Sequence, residues 1–419
     1  MIRFVYNLTA WAAALYFMPR AILRGIFADK ADFEQLGIYP RSKEKDHSKS
    51  IWIHCASVGE VKIAAELIDA LGEIDDSVRI VLTVKTRAGK REAHRVLPQE
   101  IEIRYCPYDL RFFIARAIRH FNPERLVLIE TEIWPNLIRV AAGSGIKLYL
   151  VNGRISGQSF EHYRKLGKFL TDLLQKFSRF MMQSEEDKER LITLGAERDK
   201  CEVVDNIKYD IMRRKIAEIS AKEVRQELGI DQNAEILIAG STRGGEEKFL
   251  LEQLAKLKRK NPDLKMIIAP RHLQRVPDVE GIIRENGLTY TRRSVIIENF
   301  SEIGKDVMIL DTMGELASLY SVGQAAFVGG SLVPKGGQNP LEPVGLGVPT
   351  CFGPHMENFE RIVDTLKELN LAHQVKDSDG VREFFDNVLA GEIERPDPTK
   401  LFQRFGRAAE FSANKVLKD

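Results

Sequence analysis

Two glutamates in short loops are the first residues whose type and setting could do chemistry. Glu60 stands in HCASVGEV and Glu130 in IETEIWPNL, each directly after a run of β-branched and aliphatic residues. A carboxylate so placed can act as general base on a hydroxyl, an effect worth about 10²–10⁴ in rate. It can equally be a helix-start Glu beside N–H groups that are free in the first turn. Ser57 adds a third reading: Cys55-x-Ser57-x-Gly59 is a degenerate nucleophile elbow, although the α/β-hydrolase elbow wants Gly where Cys55 stands. Glu132 can simply cap the helix that Trp134 and Pro135 open, Pro being favoured at that position. Two carboxylates at one strand end are costly to bury without partners, and Glu130, nearer the strand, is the better site candidate.

The second half of the chain has its own loops. GSTRGGEE sets Ser, Thr and Gly before a helix start, which suits contact with a phosphate or substrate through N–H groups. It lacks the GxxxxGK[ST] spacing of a nucleoside-triphosphate loop. APRH places Arg271 and His272 at a strand end, where the planar Arg fork suits phosphate oxygens; alone, such a pair is more often a solvated surface feature. DTMGEL offers Asp311, Met313, Gly314 and Glu315, and GGSLVPKGGQNPLEP is dense in Gly and Pro around Asn339 and Glu342. So much glycine lets backbone approach a ligand closely, and a Glu at the helix start after NPL is placed to accept hydrogen bonds from a ribose diol. No HExxH, Cys/His cluster or strand-end DxD appears, so neither a metal site nor a cofactor is expected. Cys55, Cys106, Cys201 and Cys351 form no CxxC pair and read as reduced, mostly buried thiols.

These loops need strands and helices to hold them. Candidate strands fall at 51–55, 79–84, 101–106, 125–130, 147–152, 179–184 and 201–205, then at 235–241, 264–270, 306–311, 325–331 and 348–353, with amphipathic stretches between. Such alternation predicts βαβ units around parallel sheets. A long polar helix, IMRRKIAEISAKEVRQELG, separates the halves. The 419 residues thus divide into a segment 1–30, two Rossmann-like α/β domains at 31–210 and 211–400 facing across a cleft, and a C-terminal helix 401–419. The formal net charge of +2 argues against a nucleic-acid partner, which normally demands a clear basic excess. That sum hides an asymmetry: Arg3, Arg20, Arg24 and Lys30 against Asp29 give the first thirty residues +3, leaving −1 for the rest. FVYNLTAWAAALYFMP, within this basic segment, is shorter than the roughly 20 apolar residues that cross a bilayer comfortably. It reads as a monotopic or barely spanning membrane-anchor helix, against the rival readings of a cleaved signal peptide and of an amphipathic helix packed on its own protein. A second basic stretch, HYRKLGKFLTDLLQKFSR, can face the same surface or simply be solvated.

Taken together and in this order, HCASVGE, IETEIWPNL, NIKYD, PRH, DTMGEL and GGSLVPKGGQNPLEP resemble the Kdo transferases, which attach 3-deoxy-D-manno-oct-2-ulosonic acid (Kdo) to the lipid A precursor. The resemblance runs over nearly the whole chain and implies a two-domain GT-B glycosyltransferase, with acceptor binding in 31–210 and CMP-sugar binding in 211–400. It implies Glu60 as general base and Glu130 and Lys208 as stabilisers of the transition state. Arg271, His272, Met313, Gly314, Glu315, Asn339, Pro340, Leu341 and Glu342 match segments that hold CMP. The donor is then CMP-Kdo, the acceptor the tetraacylated lipid A precursor, and the location the cytoplasmic face of the inner membrane, with anionic lipids near the basic segment. Gln338 stands where some members have His, which removes a titrating role at that position. Two other classes remain: an α/β hydrolase using Ser57, and a non-catalytic membrane-associated binding protein.

Overall fold

The computed structural model describes residues 6–9, 11–12, 15–16, 19, 30–40, 49–231, 233–299 and 305–418. The chain forms two units, Met1–Ile211 with Phe405–Asp419, and Met212–Arg404. Each is built on a seven-stranded sheet whose pairings are all parallel.

In the first unit the strands are β1 (Ser50–Cys55), β2 (Arg79–Val84), β3 (Glu102–Tyr105), β4 (Pro123–Ile129), β5 (Lys147–Gly153), β6 (Arg179–Met182) and β7 (Cys201–Val203), in the order β3-β2-β1-β4-β5-β6-β7. Every residue of β1 is buried, as expected of a parallel strand covered by helices on both faces. One face packs Ile51, Ile53, Leu67 and Leu71, the other Trp52, Leu126, Leu128 and Phe180. Strand order reverses between β1 and β4, the place where open α/β sheets take their ligands.

In the second unit β8 (Ile236–Thr242), β9 (Lys265–Pro270), β10 (Tyr290–Arg292), β11 (Val307–Ile309), β12 (Ala325–Val328), β13 (Thr350–Phe352) and β14 (His373–Gln374) run β10-β11-β9-β8-β12-β13-β14, with the reversal between β8 and β12. The two edge strands β10 and β14 have no counterpart among the strands expected from sequence. They are three and two residues long and polar, and their pairing depends on a neighbour rather than on an apolar run.

Two helical expectations also change. The long polar helix breaks into Lys208–Ala217 and Ala221–Glu227, because the Ser220 hydroxyl accepts the Glu223 N–H and starts a new helix. In place of one helix over 401–419 there are Pro398–Arg404 and Ala408–Lys418. The second packs Ala409, Ala413 and Val416 into the first unit's core, and its opening N–H groups at Ala408 and Ala409 donate to the buried Asp210 carboxylate at 3.2 and 3.3 Å.

At the N-terminus, the described residues between Tyr6 and Pro19 are helical, with Leu8, Trp11, Leu15 and Tyr16 exposed. The rest of the expected anchor, including 20–29, lies outside the described residues. No helix among the described residues is long and apolar enough to cross a membrane.

Candidate functional site

The loop after β1 is organised by a reciprocal cap. Ser57, with extended backbone, caps the helix Val58–Ile74: its hydroxyl accepts the Glu60 N–H at 3.2 Å, while Glu60 Oε2 accepts the Ala56 N–H at 2.7 Å. This variant of the capping box brings Glu60 to 6% exposure. Burial pushes its carboxyl pKa up, the bonds to Ala56 and Ser57 pull it down, and the carboxylates of Glu132 and Glu130 push it up again. Glu60 is therefore both the helix-start Glu and a carboxylate tuned towards the range of a working base.

Ser57 has a structural task in this arrangement. Ser57→Ala is expected to lower stability by about 1 kcal/mol, the usual cost of a lost N-cap, with turnover retained; melting curves and a rate assay read both. Abolished turnover at an unchanged melting temperature would restore the nucleophile reading.

Glu130 follows β4, the neighbour of β1. Its backbone sits at φ 55°, a conformation that costs a non-glycine residue about 1–3 kcal/mol and persists only where its surroundings enforce it. Here the Glu130 N–H is tied to the Val151 carbonyl at 2.9 Å. Glu132 does not cap the following helix. Trp134 occupies the N-cap without a side-chain bond, and its indole N–H donates to Glu132 Oε2 at 2.6 Å. Lys85, directly after β2, lies 4.5 Å from the Trp134 ring centroid, and His54 meets the same ring edge-on at 6.3 Å. His54 is buried, which lowers its pKa to about 4, and its Nδ1 lies 3.0 Å from Thr83 Oγ1. Lys85 and His54 carry no role in the sequence analysis, although each lies at the carboxyl end of a strand, as the loop of Glu60 does.

Lys208 begins the helix Lys208–Ala217 at the edge of β7, three strands from β4. Its side chain is exposed, and its N–H is held by Asn206 Oδ1 at 3.0 Å. The loop is pinned to the sheet by the Ile207 N–H on Asn152 Oδ1 and by the Asn206 amide on Gln183 Oε1, both 3.0 Å. Glu60 and Glu130 are thus close enough to interact electrostatically, while Lys208 shares their carboxyl edge from a different loop.

In the second unit the Arg243 N–H of GSTRGGEE and three N–H groups of the glycine-rich loop after β12 are taken up by the protein itself. Glu246 fills the cradle between β8 and β12: Oε2 accepts the N–H groups of Arg243 and Gly330 at 2.8 and 2.7 Å, and Oε1 those of Ser331 and Leu332, both at 2.9 Å. Gly329, from the glycine-rich loop expected to admit a ligand, and Gly240 in β8 admit the protein itself. A Cβ on Gly329 would lie 2.5 Å from the Ser241 carbonyl oxygen, and one on Gly240 would overlap the Tyr320 hydroxyl.

What remains open lies above this cradle. Arg243 Nη1 stands 2.5 Å from His272 Nε2; because guanidinium only donates, Nε2 accepts and the ring proton sits on Nδ1. A Cβ on Gly330 would lie 3.6 Å from Arg243 Cγ and 3.7 Å from Gln338 Nε2, so Arg243, His272 and Gln338 ring one spot. Arg271 is exposed next to His272, its N–H tied to the Thr242 carbonyl at 3.0 Å. Arg243 is the cation that sequence reading passed over.

The other second-unit candidates divide. Glu315 is engaged by Arg293 Nε and Nη2 at 3.0 and 2.8 Å, while Met313 is 76% exposed beside Gly314 at φ 92°. Asn339 Oδ1 accepts the Leu341 N–H at 3.1 Å and its amide reaches Glu342 Oε1 at 3.4 Å, with Pro340 at the N-cap. Burial raises the Glu342 pKa, partly offset by Asn339 and Lys215.

Residues 31–211 match the family model described as 3-deoxy-D-manno-octulosonic-acid transferase (kdotransferase). A 3-deoxy-D-manno-octulosonic acid transferase of Haemophilus influenzae is 33% identical over 326 residues, 77% of this chain and 74% of its own. A bifunctional glycosyltransferase/methyltransferase of Fusobacterium nucleatum is 37% identical over 371 residues, 88% of this chain, but the chain spans only 57% of that relative. Among solved structures, UDP-GlcNAc 2-epimerase from Neisseria meningitidis, bound to UDP-GlcNAc, covers 89% of this chain and 100% of its own with a TM-score of 0.57 at 14% identity. That is a likeness of fold alone: two parallel-sheet α/β units of the GT-B kind.

Proposed function

The chain belongs to the 3-deoxy-D-manno-octulosonic acid transferase family and is a glycosyltransferase, and from that premise we propose that it moves Kdo from CMP-Kdo to a lipid A precursor with inversion at the anomeric carbon. The observation that carries the reading is Glu60: a carboxylate at the β1/β4 reversal, held by a backbone N–H and lifted in pKa by burial and by two neighbouring carboxylates. Glu60 takes the proton of the acceptor hydroxyl as its oxygen bonds to the anomeric carbon. The bond from that carbon to the phosphate oxygen breaks in the same displacement, and CMP departs with the electron pair. Negative charge grows on the leaving phosphate, where Arg271, His272 and Arg243 supply donors that need no reorganisation. Asn339 and Glu342 hold the nucleoside, and Glu130 and Lys208 stabilise the transition state.

A single displacement needs one base and no covalent intermediate. In keeping with it, Ser57 is engaged as a cap, and the Cys55 thiol is pushed well above its ordinary pKa by burial and by Glu60, Glu132 and Glu130. The acceptor is a lipid, and the exposed Leu8, Trp11, Leu15 and Tyr16 provide the membrane seat at the cytoplasmic face of the inner membrane. Purified full-length protein given CMP-Kdo and a tetraacylated disaccharide 4′-phosphate should release CMP and yield a lipid heavier by Kdo in mass spectrometry. Release of CMP and free Kdo with unchanged lipid would overturn the acceptor.

A further inference from the structure

Three carboxamides lace the carboxyl ends of β5, β6 and β7 together, and the residue they close on is Lys208. Asn152, fully buried near the end of β5, accepts the Ile207 N–H on Oδ1 at 3.0 Å, and its carbonyl oxygen accepts Gln183 Nε2 at 2.9 Å. Gln183, the residue after β6, uses the other end of its amide as well: Oε1 accepts Asn206 Nδ2 at 3.0 Å. Asn206 in turn accepts the Lys208 N–H on Oδ1 at 3.0 Å. Gln183 and Asn206 thus each donate from nitrogen and accept on oxygen, a pairing that neither an ionised carboxylate nor an apolar side chain can make.

The other end of this chain of bonds reaches Glu130. Val151 pairs with Ile129 across β4 and β5, and its carbonyl holds the Glu130 N–H at 2.9 Å, so Asn152 and Glu130 stand side by side where the two strands end. Both have left-handed backbone, at φ 59° and 55°. Asn tolerates that region, whereas Glu adopts it at a cost. Asn152 also leaves its Nδ2 buried with no acceptor among the described residues, which is itself destabilising. Costs of this kind persist where the geometry they impose is used.

We propose that Asn152, Gln183 and Asn206 are positioning residues for the transfer reaction, a frame that holds the Lys208 backbone in register with Glu130. A lysine carries its charge on a flexible four-carbon stem. Fixing its backbone limits where that charge can go, and a misplacement of about 1 Å can cost about 10²-fold in rate. The inference rests on the reading of Glu130 and Lys208 as stabilisers of the transition state. Asn152 and Gln183 belong to none of the loops from which that reading came.

Gln183→Met keeps the length of the side chain and removes both of its bonds. In full-length protein it should speed hydrogen exchange at the Ile207 and Lys208 amides by at least about tenfold while leaving the amides of β1 and β4 unchanged. It should lower kcat for Kdo transfer by about ten- to a hundredfold, with KM for CMP-Kdo within about twofold of native. Asn206→Ser, at a half-buried position, removes the bond to Gln183 while its hydroxyl can still accept the Lys208 N–H, and should act in the same direction. A double-mutant cycle separates positioning from general stability. In a Lys208→Ala background Gln183→Met should lower kcat by no more than about twofold further, because the group it misplaces is gone. Equal losses in the two backgrounds overturn the proposal, as does unchanged exchange at the Ile207 and Lys208 amides in both variants. Native protein that transfers no Kdo while Gln183→Met still frees these amides would count against the transferase reading alone.

Discussion

Glu60→Gln is expected to lower kcat for Kdo transfer by about 10²–10⁴-fold while leaving the melting temperature and CMP affinity near those of the native protein. The substitution is clean because Gln retains what holds the loop: an amide oxygen can still accept the Ala56 N–H, and the Glu60 backbone N–H still reaches Ser57. Gln is itself an accepted partner in this kind of cap. Only the ability to take a proton is lost. The pH profile gives an independent readout. A carboxyl raised by burial and by Glu132 and Glu130 loses its proton above the ordinary carboxylate range, so activity should fall on acidification at a higher pH than for an exposed Glu. That acidic limb should disappear in Glu60→Gln. In Glu130→Gln it should move to lower pH, since removing a neighbouring negative charge makes Glu60 easier to ionise. Near-native transfer by Glu60→Gln would sink the assignment of the base.

Which parts of this molecule could be read from residues alone follows from how local their causes are. The central strands announce themselves because both faces are covered, so β1 is apolar throughout and pattern finds it. β10 and β14 are paired from outside and carry little pattern of their own. Glu60 and Glu130 were legible because their strands and loops adjoin them in sequence. The part Glu246 plays was not legible for the opposite reason: its carboxylate accepts N–H groups 84 to 86 residues downstream, so a local reading of GSTRGGEE cannot see that this glutamate ties two loops together. Arg243 escaped notice because its partner His272 is 29 residues away. Lys208 could be proposed only through the motif NIKYD, since nothing in its own neighbourhood distinguishes an exposed lysine at a helix start.

The occupied cradle leads to the second large effect. Glu246→Ala is expected to destabilise the second unit by about 3–5 kcal/mol, the scale on which removing one partner of a buried, charge-assisted set acts. The carboxylate is fully buried and accepts four backbone N–H groups from two loops. Without it those donors are left in an interior with no acceptor, and each unsatisfied buried group carries its own desolvation cost. At about 2–4 °C per kcal/mol for a unit of this size, calorimetry should show a transition lowered by about 10 °C. The loss should be confined to the second unit, since every bond of Glu246 lies within Met212–Arg404. A small oxyanion provides the discriminating arm. If the deletion leaves an intact nest of N–H groups, inorganic phosphate at tens of millimolar should raise the stability of the variant by more than it raises that of the native protein, because an anion that binds only the folded state raises its stability by mass action. The same variant should bind CMP more weakly, since Glu246 holds the N–H groups of Arg243 and Gly330, and with them the guanidinium against His272. A native melting temperature in Glu246→Ala would mean that these N–H groups find other acceptors, and Glu246 would not be what holds the two loops together.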